Sequence, residues 1–215
     1  MLNHFKEDTY AAIENKISLN PILNSFQHVV HQYGIKKQWI DYFLGSMEMD
    51  LHKQNYNYEN YNKYILGSAE VVGLMCLHVF TQGDEILFEQ LKPYAMKLGA
   101  AFQKVNFLRD IKADNEDLGR TYFPDVNLKD FKTHDKLKIE KEIENDFAVA
   151  LVGIKMLPVS SRKGVYLAYY YYNVLFKKIK RIPAQQILNE RVRIPNFQKL
   201  ILMFKSNVRH QLNIF

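Results

Sequence analysis

The feature that most restricts this chain is the run from Ile86 to about Asp117, where apolar residues recur with the period of an α-helix and only Pro93 interrupts. Proline removes a main-chain donor, so the run is expected as two helical pieces with Pro93 in the first turn of the second. Gly119, just past the last periodic residue, suits the left-handed conformation that ends a helix, and Pro124 prevents early resumption. The same period recurs on both sides. Phe5, Tyr10, Ile13 and Ile17 mark a first helix over residues 5–17, and Ile22, Phe26, Val29, Val30 and Tyr33 a second that stops at Gly34. Trp39, Ile40, Phe43, Leu44 and Met47 make a third stripe. Glu59 to Phe80 carries Tyr61, Tyr64, Ile65, Val72, Met75 and Val79, with Gly67, Ser68, Ala69 and Gly73 small enough to admit another backbone or a ligand. Further helices fit Lys136 to Val152, Gly164 to Arg181 and Gln198 to Leu212. No useful stretch alternates as a strand would, and nine Gly and six Pro are few for a turn-rich β protein. Residues 1–215 therefore read as one all-α domain.

At 215 residues and 47% hydrophobic content the chain can bury a sizeable core, which excludes a disordered tail. Its net charge of +6 points to anionic partners: phosphates, acidic lipids or nucleic acid. The basic residues are spread without a nucleic-acid-binding motif, so nucleic acid is not expected. Lys177, Lys178, Lys180 and Arg181 form a basic patch, more often a solvated helix surface than a contact with an anionic membrane. The amino terminus lacks an apolar core, and no window approaches the roughly 18 uninterrupted apolar residues of a membrane span. A cytoplasmic protein, at most peripheral to a membrane, is expected. Cys76 is the only cysteine and reads as a small buried hydrophobe in a reducing compartment. His28 and His31 lack further His or Cys at zinc-ligand spacing.

Chemistry concentrates between Leu98 and Asp114, where Asn106, Asp110 and Asp114 recur every four residues. At about 100° per residue, successive members drift only about 40°, so the three oxygen-bearing side chains share one helix face. Gln103 joins that face one turn earlier. Two like charges four residues apart repel, and their neighbours here are Ala, Phe, Val and Leu, so the face needs a compensating charge. A bound divalent cation supplies it, and hard oxygen ligands of this kind suit Mg²⁺, whose remaining ligands are commonly water and phosphate oxygens. Arg109 and Arg120 place anion-binding guanidiniums beside the same face. The bland alternative is a solvated acidic face.

Gln103, Asn106, Phe107, Leu108, Arg109, Asp110 and Asp114, followed by Gly119, Arg120, Tyr122, Phe123 and Pro124, resemble the second aspartate-rich motif of the phytoene and squalene synthase family. Gly45, Asp50 and Leu51, then Tyr64, Ala69 and Gly73, then Arg191, Val192, Arg193, Lys199 and Leu200 follow in the order that family shows. The resemblance covers most of the chain from about Tyr42 onward. It implies an all-α isoprenoid synthase fold with a central cavity and an Mg²⁺-dependent (Mn²⁺ as substitute) ionisation of an allylic diphosphate. Two prenyl diphosphates then join head to head through a cyclopropyl intermediate. By position, Asn106, Asp110 and Asp114 would be metal ligands and Gln103 would stand beside them. Arg109, Tyr171, Arg191 and Lys199 would hold diphosphate, and Tyr64 would border the cavity. The wording of the motif is closer to phytoene synthases, which implies geranylgeranyl diphosphate as substrate and no reduced nicotinamide cofactor (NADPH). Farnesyl diphosphate with a squalene or dehydrosqualene product, or a non-catalytic assembly role, are the alternatives.

Two departures stand out. The family's first aspartate-rich motif, two Asp four apart on an amino-terminal helix, has no counterpart, since only Glu7, Asp8 and Glu14 precede Gly34. The chain is therefore expected to start after that element and to be incomplete there, which puts the activity of this length of chain in question. Glu70 replaces a usual Gly, and would either narrow the cavity or turn to solvent.

Overall fold

The computed structural model describes residues 1–51, 56–116, 119–189, 191–212 and 214. They form helices α1 (Leu2–Asn15), α2 (Pro21–Tyr33), α3 (Lys37–Met49), α4 (Tyr58–Ile65), α5 (Val71–Thr81), α6 (Glu85–Glu116), α7 (Thr133–Met156), α8 (Val159–Lys180), α9 (Ala184–Ile187) and α10 (Asn196–Gln211). The all-α expectation holds, with local corrections. Lys16 turns left-handed at φ 56°, which ends α1 early and leaves Ile17 outside the helix and exposed. The boundaries of α2 follow local chemistry. Asn20 accepts the amides of Ile22 and Leu23, Pro21 needs no amide partner, and Gly34 closes the helix at φ 67°.

Pro93 does not divide α6, which runs through it as one helix. Proline deprives the Glu89 carbonyl of its partner, but Pro93 is exposed, so that carbonyl can be solvated at the surface. Asp117, at the expected end of this run, lies outside the described residues. Beyond it Gly119 takes φ 63°, and the Arg120 amide donates to the Asp114 carbonyl at 2.8 Å, closing α6 as anticipated.

Between α4 and α5 the chain widens into a π turn, Leu66–Glu70. This turn is pressed between α3 and α6. A Cβ on Gly67 would stand 2.3 Å from the Tyr42 carbonyl oxygen, and one on Gly99 2.5 Å from that of Ala69. Glycine is required at both positions because backbone meets backbone there. The helix formed by α4, the π turn and α5 is apolar enough to cross a membrane by length and composition. Its packing between α3 and α6 accounts for that character. Two core clusters meet along α6. Phe88 and Leu91 join Trp39, Ile40, Leu44 and Leu74 at its amino-terminal end, whereas Val105, Leu108 and Ile111 join Ile143, Phe147, Tyr166 and Phe176 further on.

Candidate active site

A cavity of about 630 Å³ lies among α5, α6, α7 and the start of α8. Val72, Cys76 and Phe80 line it from α5, Leu98 and Phe102 from α6, and Ile154 from α7. Cys76 is thus a wall residue facing open space, which corrects its reading as core, and burial by its apolar neighbours raises its thiol pKa. Gln103 lines the cavity on α6, one turn before Asn106. The oxygen-bearing face of α6 therefore begins where the apolar wall ends.

On that face, the Asp110 carboxylate is held by two guanidiniums. Arg109 reaches it through Nη2 at 2.5 Å and Arg191 through Nε at 2.5 Å. The Tyr172 hydroxyl donates to Asn106 Oδ1 at 3.3 Å, and its ring stacks on Phe102 with centroids 4.0 Å apart. The family resemblance had pointed to Tyr171 for diphosphate. Tyr171 packs edge-on against Tyr172, and both lie near enough to Arg109 to help raise its pKa, behind the larger effect of the Asp110 hydrogen bond.

Asp114 is half-buried, and its carboxyl is pushed up to about 6. Burial is the main cause, the charges of Asp110 and Asp50 add to it, and Arg120 and Arg109 offset it in part. Asp50 comes from the end of α3. Its Oδ2 accepts the Tyr64 hydroxyl at 3.1 Å, its Oδ1 accepts Arg120 Nη1 at 3.2 Å, and its carbonyl accepts Arg120 Nη2. Burial still raises the Asp50 pKa against those stabilising contacts. Tyr64 is not among the residues lining the cavity. Its ring packs with Tyr56, Phe107 and Tyr122, and burial drives its hydroxyl far above the ordinary phenol range. Lys199 is exposed on the first turn of α10 and makes no polar side-chain contact with these carboxylates among the described residues. Glu70 takes neither expected course. It sits half-buried near Lys97 and Lys104, which partly offset the pKa rise that burial causes.

The donor set of Asn106, Asp110 and Asp114 is all hard oxygen, and the crowding that keeps Asp114 close to protonation is relieved by a cation. The residues therefore fit a hard divalent ion. Among the described residues no three His, Cys, Asp or Glu come together as a metal-binding group. That description includes His28 and His31, and the His31 ring bonds the Ile13 carbonyl at 2.7 Å.

A family model described as squalene/phytoene synthase matches residues 1–198. The chain belongs to that family. Its members are prenyltransferases that join isoprenyl diphosphates head to head, and the family generally uses Mg²⁺ through aspartate-rich motifs. Among solved structures, a dehydrosqualene synthase in complex with ligand superposes with a TM-score of 0.80 at 18% identity, covering 98% of this chain and 78% of that one. The squalene synthase HpnC from Alicyclobacillus acidocaldarius superposes with a TM-score of 0.72 at 18% identity, covering 88% and 74%. A search among curated proteins finds no significant match. This squalene/phytoene synthase family chain has the isoprenoid synthase fold, with the face containing Asn106, Asp110 and Asp114 at the polar end of its cavity.

Proposed function

We propose that the chain catalyses head-to-head condensation of two farnesyl-type diphosphates to a squalene- or dehydrosqualene-type hydrocarbon. The observation that carries the reading is the junction on α6, where the oxygen ligands and paired guanidiniums adjoin a large apolar cavity. A prenyl diphosphate has the same two parts in the same order. Asn106, Asp110 and Asp114 would hold magnesium, which when bound supplies charge neutralisation at a departing diphosphate. Arg109 and Arg191 transfer their hydrogen bonds from Asp110 to diphosphate oxygens. Tyr172 orients Asn106 through its hydroxyl, and Phe102 turns an aromatic ring toward the cavity, where a ring face stabilises positive charge. The apolar walls exclude water from the allylic cation until rearrangement ends.

The farnesyl reading is favoured over phytoene formation because both solved relatives carry squalene-type names. The phytoene reading rests on the wording of the motif from Phe107 to Pro124 and stands second. The test is incubation with farnesyl or geranylgeranyl diphosphate and Mg²⁺, with and without reduced nicotinamide cofactor, followed by mass analysis of hydrocarbons. A farnesyl-derived product is expected. A product from geranylgeranyl diphosphate alone moves the assignment to phytoene. Absence of product together with absence of Mg²⁺-dependent diphosphate binding overturns the reading.

A further inference from the structure

Asp110 and Asp114 lie one turn apart on α6, and the arginines around them treat them differently. Asp110 is held by Arg109 and Arg191. Asp114 forms no ion pair among the described residues, although an arginine begins within reach of it. The Arg120 amide donates to the Asp114 carbonyl at 2.8 Å, and both residues line one small recess of about 10 Å³ together with Tyr122. A guanidinium on so long and flexible a stem pairs with the nearest carboxylate unless something holds it elsewhere.

What holds it is Asp50, at the carboxyl end of α3. Arg120 Nη1 donates to Asp50 Oδ1 at 3.2 Å and Nη2 donates to the Asp50 carbonyl, so one residue takes both ends of the guanidinium fork. Nη1 also reaches the Tyr122 hydroxyl at 3.4 Å. The second Asp50 oxygen accepts the Tyr64 hydroxyl at 3.1 Å, which fixes the plane of the carboxylate. The arrangement leaves Arg120 incompletely satisfied. Its Nε is buried without a hydrogen-bond partner among the described residues, a cost that an arginine free to choose its contacts would avoid. The Arg120 side chain is 12% exposed, so this pair is less screened by water and salt than a surface bridge.

We propose that Asp50 is a positioning residue that holds the Arg120 guanidinium away from Asp114 and so keeps that carboxylate open to a cation. The inference rests on the reading of Asp114 as a metal ligand. Without the Asp50 charge, Arg120 becomes a tethered cation that competes with Mg²⁺ for Asp114. A competitor of this kind raises the Mg²⁺ concentration required and leaves the site otherwise intact.

The test titrates Mg²⁺ into the full chain with a non-hydrolysable farnesyl diphosphate analogue and follows binding of the analogue by calorimetry. Asp50→Asn keeps an oxygen for the Tyr64 hydroxyl and removes the charge that holds Arg120. The Mg²⁺ concentration for half-maximal binding should rise about tenfold, the scale of one charged hydrogen-bonded contact, while binding at saturating Mg²⁺ matches the parent. Asp50→Glu keeps a carboxylate within reach of Arg120 and should stay within about threefold of the parent. The deciding variant combines Asp50→Asn with Arg120→Gln. Removing the released competitor should return the Mg²⁺ requirement to within about threefold of the parent, whereas damage to a purely structural contact would persist or worsen. An unchanged Mg²⁺ requirement in Asp50→Asn, loss of its cooperative melting, a defect that saturating Mg²⁺ does not relieve, or no recovery in the double variant would each overturn the proposal alone. A parent chain that binds the analogue independently of Mg²⁺ overturns the metal reading, and this inference with it.

Discussion

The long helix α6 carries two clusters of charge, and they are built to opposite ends. In the first, Lys104 is buried and its ammonium meets Asp146 at 2.7 Å and also Glu142. The other oxygen of Asp146 meets Lys97 at 2.9 Å. Every charge there has a partner in place, which is what a buried ionic group needs to remain in a fold. In the second cluster, one to three turns further along, Asp110 engages two guanidiniums while Asp114 is left close to protonation. The first cluster ties α6 to α7. The second keeps unrelieved negative charge beside an apolar cavity, which costs stability and leaves room for a cation and an anionic substrate.

The largest expected effect falls on the first cluster. Asp146→Ala removes the partner shared by Lys97 and Lys104 and leaves the Lys104 ammonium buried with the half-exposed Glu142 and the nearby Glu70. Breaking a buried pair from one side costs about 3 kcal/mol or more, or roughly 6–12 °C in Tm for a chain of this size. Differential scanning calorimetry reads it. Diphosphate binding measured well below the transition should persist, and a variant that melts like the parent but fails to bind would break the comparison by moving Asp146 into the site.

The second effect falls on affinity. Asp110→Asn keeps the shape of the side chain and removes the negative oxygen that a cation requires. Mg²⁺-dependent binding of a non-hydrolysable prenyl diphosphate analogue should fall about a hundredfold, the cost of losing a charged ligand contact. Asp125→Asn is the control. Asp125 has φ 59°, a conformation asparagine also tolerates, so its substitution should leave both binding and melting almost unchanged. Equal losses at the two positions, read by titration calorimetry, would remove the metal assignment.

How far the sequence foretold these clusters differs in the same way. Most helices were legible because each has one apolar stripe, and the shared face of Asn106, Asp110 and Asp114 followed from four-residue spacing alone. Pro93 misled because its effect depends on exposure, which a sequence does not show. The π turn depends on close backbone contact with α3 and α6, made by elements distant in the chain. Within the site, Arg191 is 81 residues from Asp110, so only a family resemblance could bring them together. The tyrosines from Tyr169 to Tyr172 turn through about 300°, and no spacing rule selects Tyr172 as the partner of Asn106. Asp50 was visible only as part of a resemblance, without the contacts to Tyr64 and Arg120 that the fold gives it. Cys76 reads as core in sequence because a cavity wall and a core have the same composition.

The smallest expected effect is also the sharpest test of the contrast, because its sign is opposite to that of Asp146→Ala. The folded-state pKa of Asp114 is raised to about 6, above the ordinary value near 4 for an unfolded aspartate. The folded chain therefore holds that proton more tightly than the unfolded chain, and stability falls as pH rises from about 4 through about 6. Above that window the full cost of the charged carboxylate is present. Asp114→Asn removes the cost, and since the group is only half-buried, solvent screening limits the gain to about 1 kcal/mol, or roughly 2–4 °C in Tm. The gain should be complete at pH 7.5 and vanish near pH 4, while Mg²⁺-dependent diphosphate binding weakens. Melting curves across that range, taken with and without Mg²⁺, separate the two roles: the ion should raise the Tm of the parent and leave that of the variant nearly unchanged. A variant less stable than the parent at pH 7.5 would show that Asp114 is structural, as Asp146 is, and would erase the distinction between the two clusters.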